Sequence, residues 1–303
     1  MPPLADRVRA RLTFKQRRRI ALARVALRRP TAPLRLLPDF LVIGAQRCGT
    51  SSLFRYLAQH PWVGRPLRKE VEYFTVRFHE GPDWYRAHFP LRLRRTKARL
   101  VGCDLRTFEA TPDYLFFPGA AERAAELLPE ARLVALLRDP VERAWSHYRH
   151  VVRLGREPLG FDEAIEAEPE RLAGEVERAG ADPAYPARSL RLHSYAARGR
   201  YAEHLAPWIE RYGRERLLVV RAEDLFAEPE TTYLEILRFL GLPGAMPRDF
   251  RNFSYPAASG GGGAARHAAA GSPAPEPTAA RLRAYFAPYN RELGALLDRE
   301  LGW

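Results

Sequence analysis

The chain has 303 residues, 46% of them hydrophobic, enough to bury a sizeable core in one large domain. Its two cysteines, Cys48 and Cys103, stand 55 positions apart in no disulfide or zinc-ligand spacing, which excludes a disulfide-stapled module and fits a reducing, cytoplasmic setting. The formal charge of +13 raises nucleic acid as a partner, but +10 of it lies in residues 1–38 and only +3 in the other 265, so the body is near neutral and no nucleic acid is expected.

Residues 1–38 read as a basic N-terminal extension. Leu12, Ile20, Leu22, Val25 and Leu27 lie among its charges, and Arg24 interrupts the only apolar run, so neither a signal peptide nor a transmembrane helix is expected. A frayed, solvated extension is the preferred reading. Peripheral membrane contact through a basic amphipathic helix is the alternative.

From residue 39 to 303, short apolar runs alternate with helical patterns, the signature of an α/β fold with a parallel sheet covered by helices. Phe40–Ile43, Leu100–Cys103, Leu133–Leu137 and Leu217–Val220 read as strands. Helices are expected over 50–60, 119–128, 140–154 and 194–212. Residues 156–192 are acidic, contain prolines and are weakly periodic, so they read as an insertion or lid over the sheet edge in which acceptor choice resides. The Gly- and Ala-rich stretch 257–277 reads as a mobile loop, followed by a last helix from about Thr278.

Asp39 to Leu53 (DFLVIGAQRCGTSSL) is strand, glycine-bounded turn, then helix, which aims backbone N–H groups and a helix N-terminus at an anion. Gly44 and Gly49 have the spacing of the nucleotide-binding P-loop, yet Thr50 stands where that loop requires lysine. The cation comes earlier, at Arg47. ATP or GTP hydrolysis is therefore disfavoured, the more so because the run Leu133–Leu137 is followed by Arg138 and not directly by an aspartate. A P-loop nucleotide kinase or ATPase remains the alternative function, and a non-catalytic adaptor is a second.

The segment Arg132 to Tyr148 (RLVALLRDPVERAWSHY) puts Arg138 at a strand end and Ser146 on the second turn of the helix begun by Pro140, so both can face one phosphate. Together with the loop, this resembles the sulfotransferase superfamily that uses 3′-phosphoadenosine-5′-phosphosulfate (PAPS). That superfamily combines a G-x-[RQ]-[KR]-x-G-T-[ST] loop for the 5′-phosphosulfate with an arginine and a serine eight positions later for the 3′-phosphate. The likeness is greatest to the heparan sulfate sulfotransferases and their bacterial relatives and spans residues 39–303. It includes KEVEYF at 69–74, ATPDYL at 110–115, GRYAEHL at 199–205, YFAPYN at 285–290 and the terminal Trp303.

The resemblance implies a P-loop-like three-layer fold with a central parallel sheet flanked by helices. It implies PAPS as donor, no metal, and a donor site of Gln46, Arg47, Cys48, Gly49, Thr50, Ser51, Arg138 and Ser146. Arg47 sits where many relatives carry a lysine that stabilises the departing oxygen. Glu70 matches the glutamate that deprotonates the acceptor; without the resemblance it reads as an exposed partner of Lys69 or Arg68. Cys48 reads as a packing residue, unless an exposed position at the helix N-terminus lowers its pKa. His147 and His150 read as helix-face residues with no assigned chemistry.

The chain departs from the family pattern at Ala110, where relatives carry a lysine, and at Glu72, where they carry a histidine. The basic loop over the 3′-phosphate falls on Ala and Gly here, with Arg266 as nearest substitute. The near-neutral body disfavours a long polyanion as acceptor. The expected acceptor is a hydroxyl or amine of a carbohydrate, glycolipid or secondary metabolite.

Overall fold

The computed structural model describes residues 14–251 and 273–303. In chain order the elements are α1 (Phe14–Arg28), β1 (Phe40–Gly44), α2 (Thr50–Leu57), β2 (Val63–Gly64), α3 (Pro82–Arg86), α4 (Arg92–Arg99), β3 (Arg106–Ala110), α5 (Ala120–Leu127) and β4 (Arg132–Leu137). There follow α6 (Pro140–Arg153), α7 (Phe161–Glu166), α8 (Glu168–Leu172), α9 (Glu175–Ala181), α10 (Arg188–Leu192), α11 (Tyr201–Tyr212), β5 (Leu217–Arg221), α12 (Ala222–Ala227), α13 (Pro229–Leu240) and α14 (Glu276–Leu297).

The five strands form one parallel sheet in the order β2-β3-β1-β4-β5. β1 is buried along its whole length and β4 everywhere but Arg132, as a central strand covered on both faces requires. From β1 the chain moves to one side of the sheet, and from β3 it crosses to the other. The junction of β1 and β4 is therefore the topological switch point, the place where open α/β sheets bind ligands beyond the strand C-termini.

The sequence places three of its four strands correctly. Leu100–Cys103 is a correction: Leu100 and Val101 are each 82% exposed in the turn after α4, and the strand is Arg106–Ala110. Its charges concealed it, because Glu109 is fully buried there. Burial raises the pKa of Glu109, while hydrogen bonds from Thr111, Tyr114 and the Val71 amide pull the other way and satisfy its oxygens. The helix expected from 194 begins only at Tyr201, after a 3-10 turn over Ala197–Gly199.

Residues 156–192 contain the four short helices α7 to α10, each too short to show periodicity in the sequence. Phe161 packs on Trp145 and Tyr148 of α6, within a second apolar cluster that includes Leu282 and Phe286 of α14. Glu157 pairs with Arg171 and accepts from Tyr195, and Glu168 accepts from the Ala196 and Ala197 amides.

The basic N-terminal stretch is tied to the body from Val25 onwards: Val25, Ala32 and Leu36 are buried, and Arg35 donates to the Phe89 carbonyl at 3.0 Å. A solvated extension does not describe that half. The loop expected at 257–277 falls on residues outside the described ones up to 272, and α14 begins at Glu276.

Candidate active site

The register between β1 and β4 slips by one residue at Ile43, and the chain turns out of the sheet at Gly44. A Cβ on Gly44 would lie 2.6 Å from Cβ of Leu115, so only glycine lets the strand end pass under the turn after β3. Arg47 and Gly49 then take left-handed conformations with φ of 73° and 88°. A methyl group at Gly49 would lie 2.9 Å from the Phe226 ring. Helix α2 begins at Thr50; the Ser52 and Leu53 amides bond the Gly49 carbonyl, which leaves the Thr50 and Ser51 amides at the open end of the helix. Strained backbone and open amides at the switch point are what an anion cradle requires.

The second motif arrives from β4. Asp139 caps α6 by accepting from the Val141 and Glu142 amides, and Pro140 fixes the first turn. This sets Arg138 at the strand end and Ser146 two turns into the helix, where Arg47 Nε donates to Ser146 Oγ at 3.1 Å. One contact thus joins two motifs 99 residues apart. Arg138 pairs with Glu142 at 3.1 Å, so its guanidinium is held along the first turn of α6.

A cavity of about 450 Å³ lies at this junction, lined by Gln46, Arg47, Gly49, Thr50, Ser51, Lys69, Glu70, Arg138, Ser146 and His150, with Glu223 and Phe226 from α12. Seven of the expected donor-site residues are thereby brought together. Cys48 is not among them: its side chain is fully buried against Tyr201, and burial raises its pKa to about 11. The exposed position that would lower a thiol pKa is therefore not the one Cys48 occupies. Arg266 lies outside the described residues.

Glu70 comes from the opposite wall. Its segment is clamped to the end of β3: the Glu70 amide donates to Ala110 O at 3.0 Å, the Val71 amide to Glu109, the Glu72 amide to Thr111 Oγ1 and the Tyr73 amide to Tyr114 Oη. Glu70 and Glu72 both have positive φ, 59° and 62°, an unfavourable conformation for non-glycine residues that these four bonds hold in place. The Glu70 carboxylate is half-exposed and contacts Lys69 Nζ. The surface-partner reading thus describes its nearest neighbour correctly, yet the carboxylate also faces the cavity.

A second cavity of about 270 Å³ shares Gln46, Glu70, Pro112 and His150 with the first and extends along Asp113, Arg156, Arg188 and Arg191. Arg191 pairs with Glu72 and with Asp113, and Asp113 pairs with Arg198 at 2.8 Å. Burial favours neutral Asp113, but Arg198 and Arg191 outweigh it and hold the carboxyl below its ordinary value. His150, at the junction, has its pKa lowered to about 4 by burial and by Arg47 and Arg153, so it is neutral near pH 7. His147 is fully buried beside the second cavity and is neutral for the same reasons.

Sequence reasoning missed Glu223, whose Oε1 accepts from the Asp139 amide at 2.9 Å. Its position just past the C-terminal end of β5 was the available signal. It also assigned no part to Asp113, Arg191 or His150. Among the described residues, no group of three or more His, Cys, Asp or Glu side chains is placed to hold a metal ion.

The fold and the site define an α/β protein with an anion cradle at its switch point, a carboxylate facing the cradle and a second cleft beyond that carboxylate. This is the layout of a group-transfer enzyme for an anionic donor.

The family follows from comparison with known proteins. The chain belongs to the sulfotransferases: the family model described as the sulfotransferase domain matches residues 37–261. It is 33% identical over 216 residues to the human bifunctional heparan sulfate N-deacetylase/N-sulfotransferase 3, an alignment covering 68% of this chain and 22% of that protein. It thus spans about a fifth of the length of that relative. It is 27% identical to the membrane-associated sulfotransferase kil1 of Dictyostelium discoideum, over 88% of this chain and 66% of that one. The crystal structure of a sulfotransferase from Alicyclobacillus acidocaldarius superposes with a TM-score of 0.62 at 30% identity, covering 88% of this chain and 98% of that one. The kinase alternative is set aside by this membership.

Proposed function

We propose that the protein transfers the sulfuryl group of PAPS to a hydroxyl or amine of a carbohydrate-type acceptor, with the donor in the first cavity and the acceptor in the second. The observation that carries this reading is the Arg47–Ser146 contact, which makes the 5′-side loop and the 3′-side motif two walls of one cavity. The chemistry of the lining fits a doubly anionic nucleotide: Arg47, Lys69 and Arg138 supply charge, and the start of α2 supplies amides.

In this reading the acceptor oxygen or nitrogen attacks sulfur, the bond from sulfur to the bridging oxygen breaks, and that oxygen leaves on the 5′-phosphate. Glu70 takes the acceptor proton. Arg47 neutralises the charge developing on the leaving oxygen without protonating it, because a guanidinium keeps its proton near neutrality. Glu70 suits the base role because it lines both cavities and the segment from Glu70 to Tyr73 is fixed by four backbone hydrogen bonds. Neutral His150, lining both, is available to hydrogen-bond the acceptor. The human relative and a mouse relative are named for heparan sulfate, which supports a glycan acceptor.

Calorimetric titration with the product nucleotide, 3′-phosphoadenosine-5′-phosphate, run beside ATP with Mg²⁺, tests this. Binding of the bisphosphate without added metal, and none of ATP at the same concentration, is the expected result. Preference for ATP with Mg²⁺ would overturn the donor assignment.

A further inference from the structure

The molecule has a second charged face that the transfer reaction does not use. Of the 14 large hydrophobic residues exposed among the described residues, eight lie in just two stretches, 20–34 and 91–101. They are Ile20, Leu22, Leu27 and Leu34 in the first, and Leu91, Leu93, Leu100 and Val101 in the second. Such clustering is not what scattered surface leucines give. The same stretches are basic: residues 14–38 and 91–101 contain no aspartate or glutamate. Arg19, Arg24, Arg29, Arg94 and Lys97 are exposed there.

The two stretches share one side of the fold. Arg35 bridges Leu91, the Leu36 amide donates to the Pro90 carbonyl at 2.9 Å, and Arg92 Nε reaches the Arg35 carbonyl at 3.4 Å. This seats the end of the α1 segment beside the start of α4. Arg95 turns inward, donating to the Leu105 carbonyl at 2.8 Å and pairing with Asp39, so α4 is anchored at the N-terminal ends of β1 and β3. The anion cradle lies beyond the opposite ends of the same sheet, roughly 16 Å of strand away.

We infer that this face docks the protein on an anionic lipid bilayer, with Leu27, Leu34, Leu93, Leu100 and Val101 entering the interface and the surrounding arginines and lysine meeting lipid headgroups. The combination favours lipid over nucleic acid: the protruding side chains are all aliphatic, whereas single strands stack their bases on aromatic rings and a duplex meets cations through its phosphates, which leaves aliphatic side chains without an apolar partner. A second copy of the chain would bring like charge to like charge. Charge of the opposite sign with an apolar interior is what a bilayer of acidic phospholipid offers. A docked molecule turns its catalytic cleft toward water.

Cosedimentation with phosphatidylcholine vesicles, with and without phosphatidylserine, tests this on the full chain. The wild type should pellet with the serine-containing vesicles only, and less so as salt is raised. Each cation removed should weaken partitioning about fivefold, so Arg94→Ala with Lys97→Ala should lose roughly 25-fold. Leu93→Ser with Val101→Ser should weaken binding at unchanged salt dependence. Bisphosphate nucleotide affinity should be the same for wild type and variants, free or on vesicles, which separates docking from misfolding and from the donor assignment. Equal binding to both vesicle types, undiminished binding of Arg94→Ala with Lys97→Ala, or capture of duplex DNA in place of vesicles would each overturn the inference.

Discussion

The two cavities are built by different means. The first cavity, which we assign to the donor, has a local centre: Gln46 to Ser51 follow β1 directly, Arg138 follows β4 and Ser146 lies two turns into α6, and backbone conformation does much of the positioning. The second cavity, which we assign to the acceptor, is assembled from distant segments by charge: Arg191 reaches Asp113 across 78 positions and Glu72 across 119, and Arg198 reaches Asp113 across 85. In the proposed assignment, donor binding rests on two short motifs at strand ends. Acceptor binding rests on an ion-pair network outside the sheet. Glu70 stands where the two meet, its backbone held by β3 and its carboxylate facing both cavities.

That division predicts how substitutions sort. Glu70→Gln should produce the largest effect, a loss of about 10²- to 10⁴-fold in turnover, with bisphosphate nucleotide affinity unchanged. Single-turnover sulfate transfer beside calorimetry separates the two. An equal loss of nucleotide affinity would mean that Glu70 serves the cradle through Lys69 and is not the base.

Asp113→Asn should strike the network. Removing one partner of a buried ion pair costs about 3–5 kcal/mol, read as a fall in the thermal midpoint. The pH dependence follows from the folded carboxyl lying below its ordinary value of 3.8, with Arg198 and Arg191 outweighing the desolvation that opposes it. Stability from this group is present above pH 3.8 and is lost as pH falls through the lower folded value. The variant's deficit should therefore be full at neutral pH and shrink below pH 3.8. A deficit independent of pH would show that packing, and not charge, holds the cleft.

Arg138→Ala should act on the donor side alone. The loss of a charged hydrogen bond weakens bisphosphate nucleotide binding by about 10- to 100-fold. The thermal midpoint should hardly move, because the partner Glu142 is part-exposed and can be solvated. Calorimetry with a nucleotide lacking the 3′-phosphate sharpens the test, since that ligand should bind wild type and variant alike.

The contrast between the cavities also accounts for what the sequence disclosed. The cradle was legible because glycine spacing, a helix start and an arginine at a strand end are signals within a few residues of each other. The network was not, since Glu72, Asp113, Arg191 and Arg198 meet only after folding. Strand β3 was missed for a related reason: Glu109 breaks its apolar pattern, and the hydroxyls that make a buried carboxylate tolerable come from Tyr114, Thr111 and Tyr85. Helices α7 and α8 are held by buried contacts of Phe161, Glu157 and Glu168, and short helices fixed by tertiary contacts leave little periodic trace.

The smallest expected effect lies inside the cradle itself. Cys48 occupies a motif position, yet its side chain points away from the cavity into the core, and burial raises its thiol pKa to about 11. A protonated, enclosed thiol is a poor nucleophile at neutral pH. Iodoacetamide should therefore label Cys103, which is partly exposed, and reach Cys48 only in denaturant, as peptide mass spectrometry would report. Cys48→Ala should cost about 1 kcal/mol of stability through the lost sulfur contacts and leave nucleotide affinity within twofold. Native labelling of Cys48 that bisphosphate nucleotide suppresses would reverse this assignment and place the thiol at the donor. The division into a backbone-built cradle and a charge-built cleft would then need a reactive side chain on its donor side.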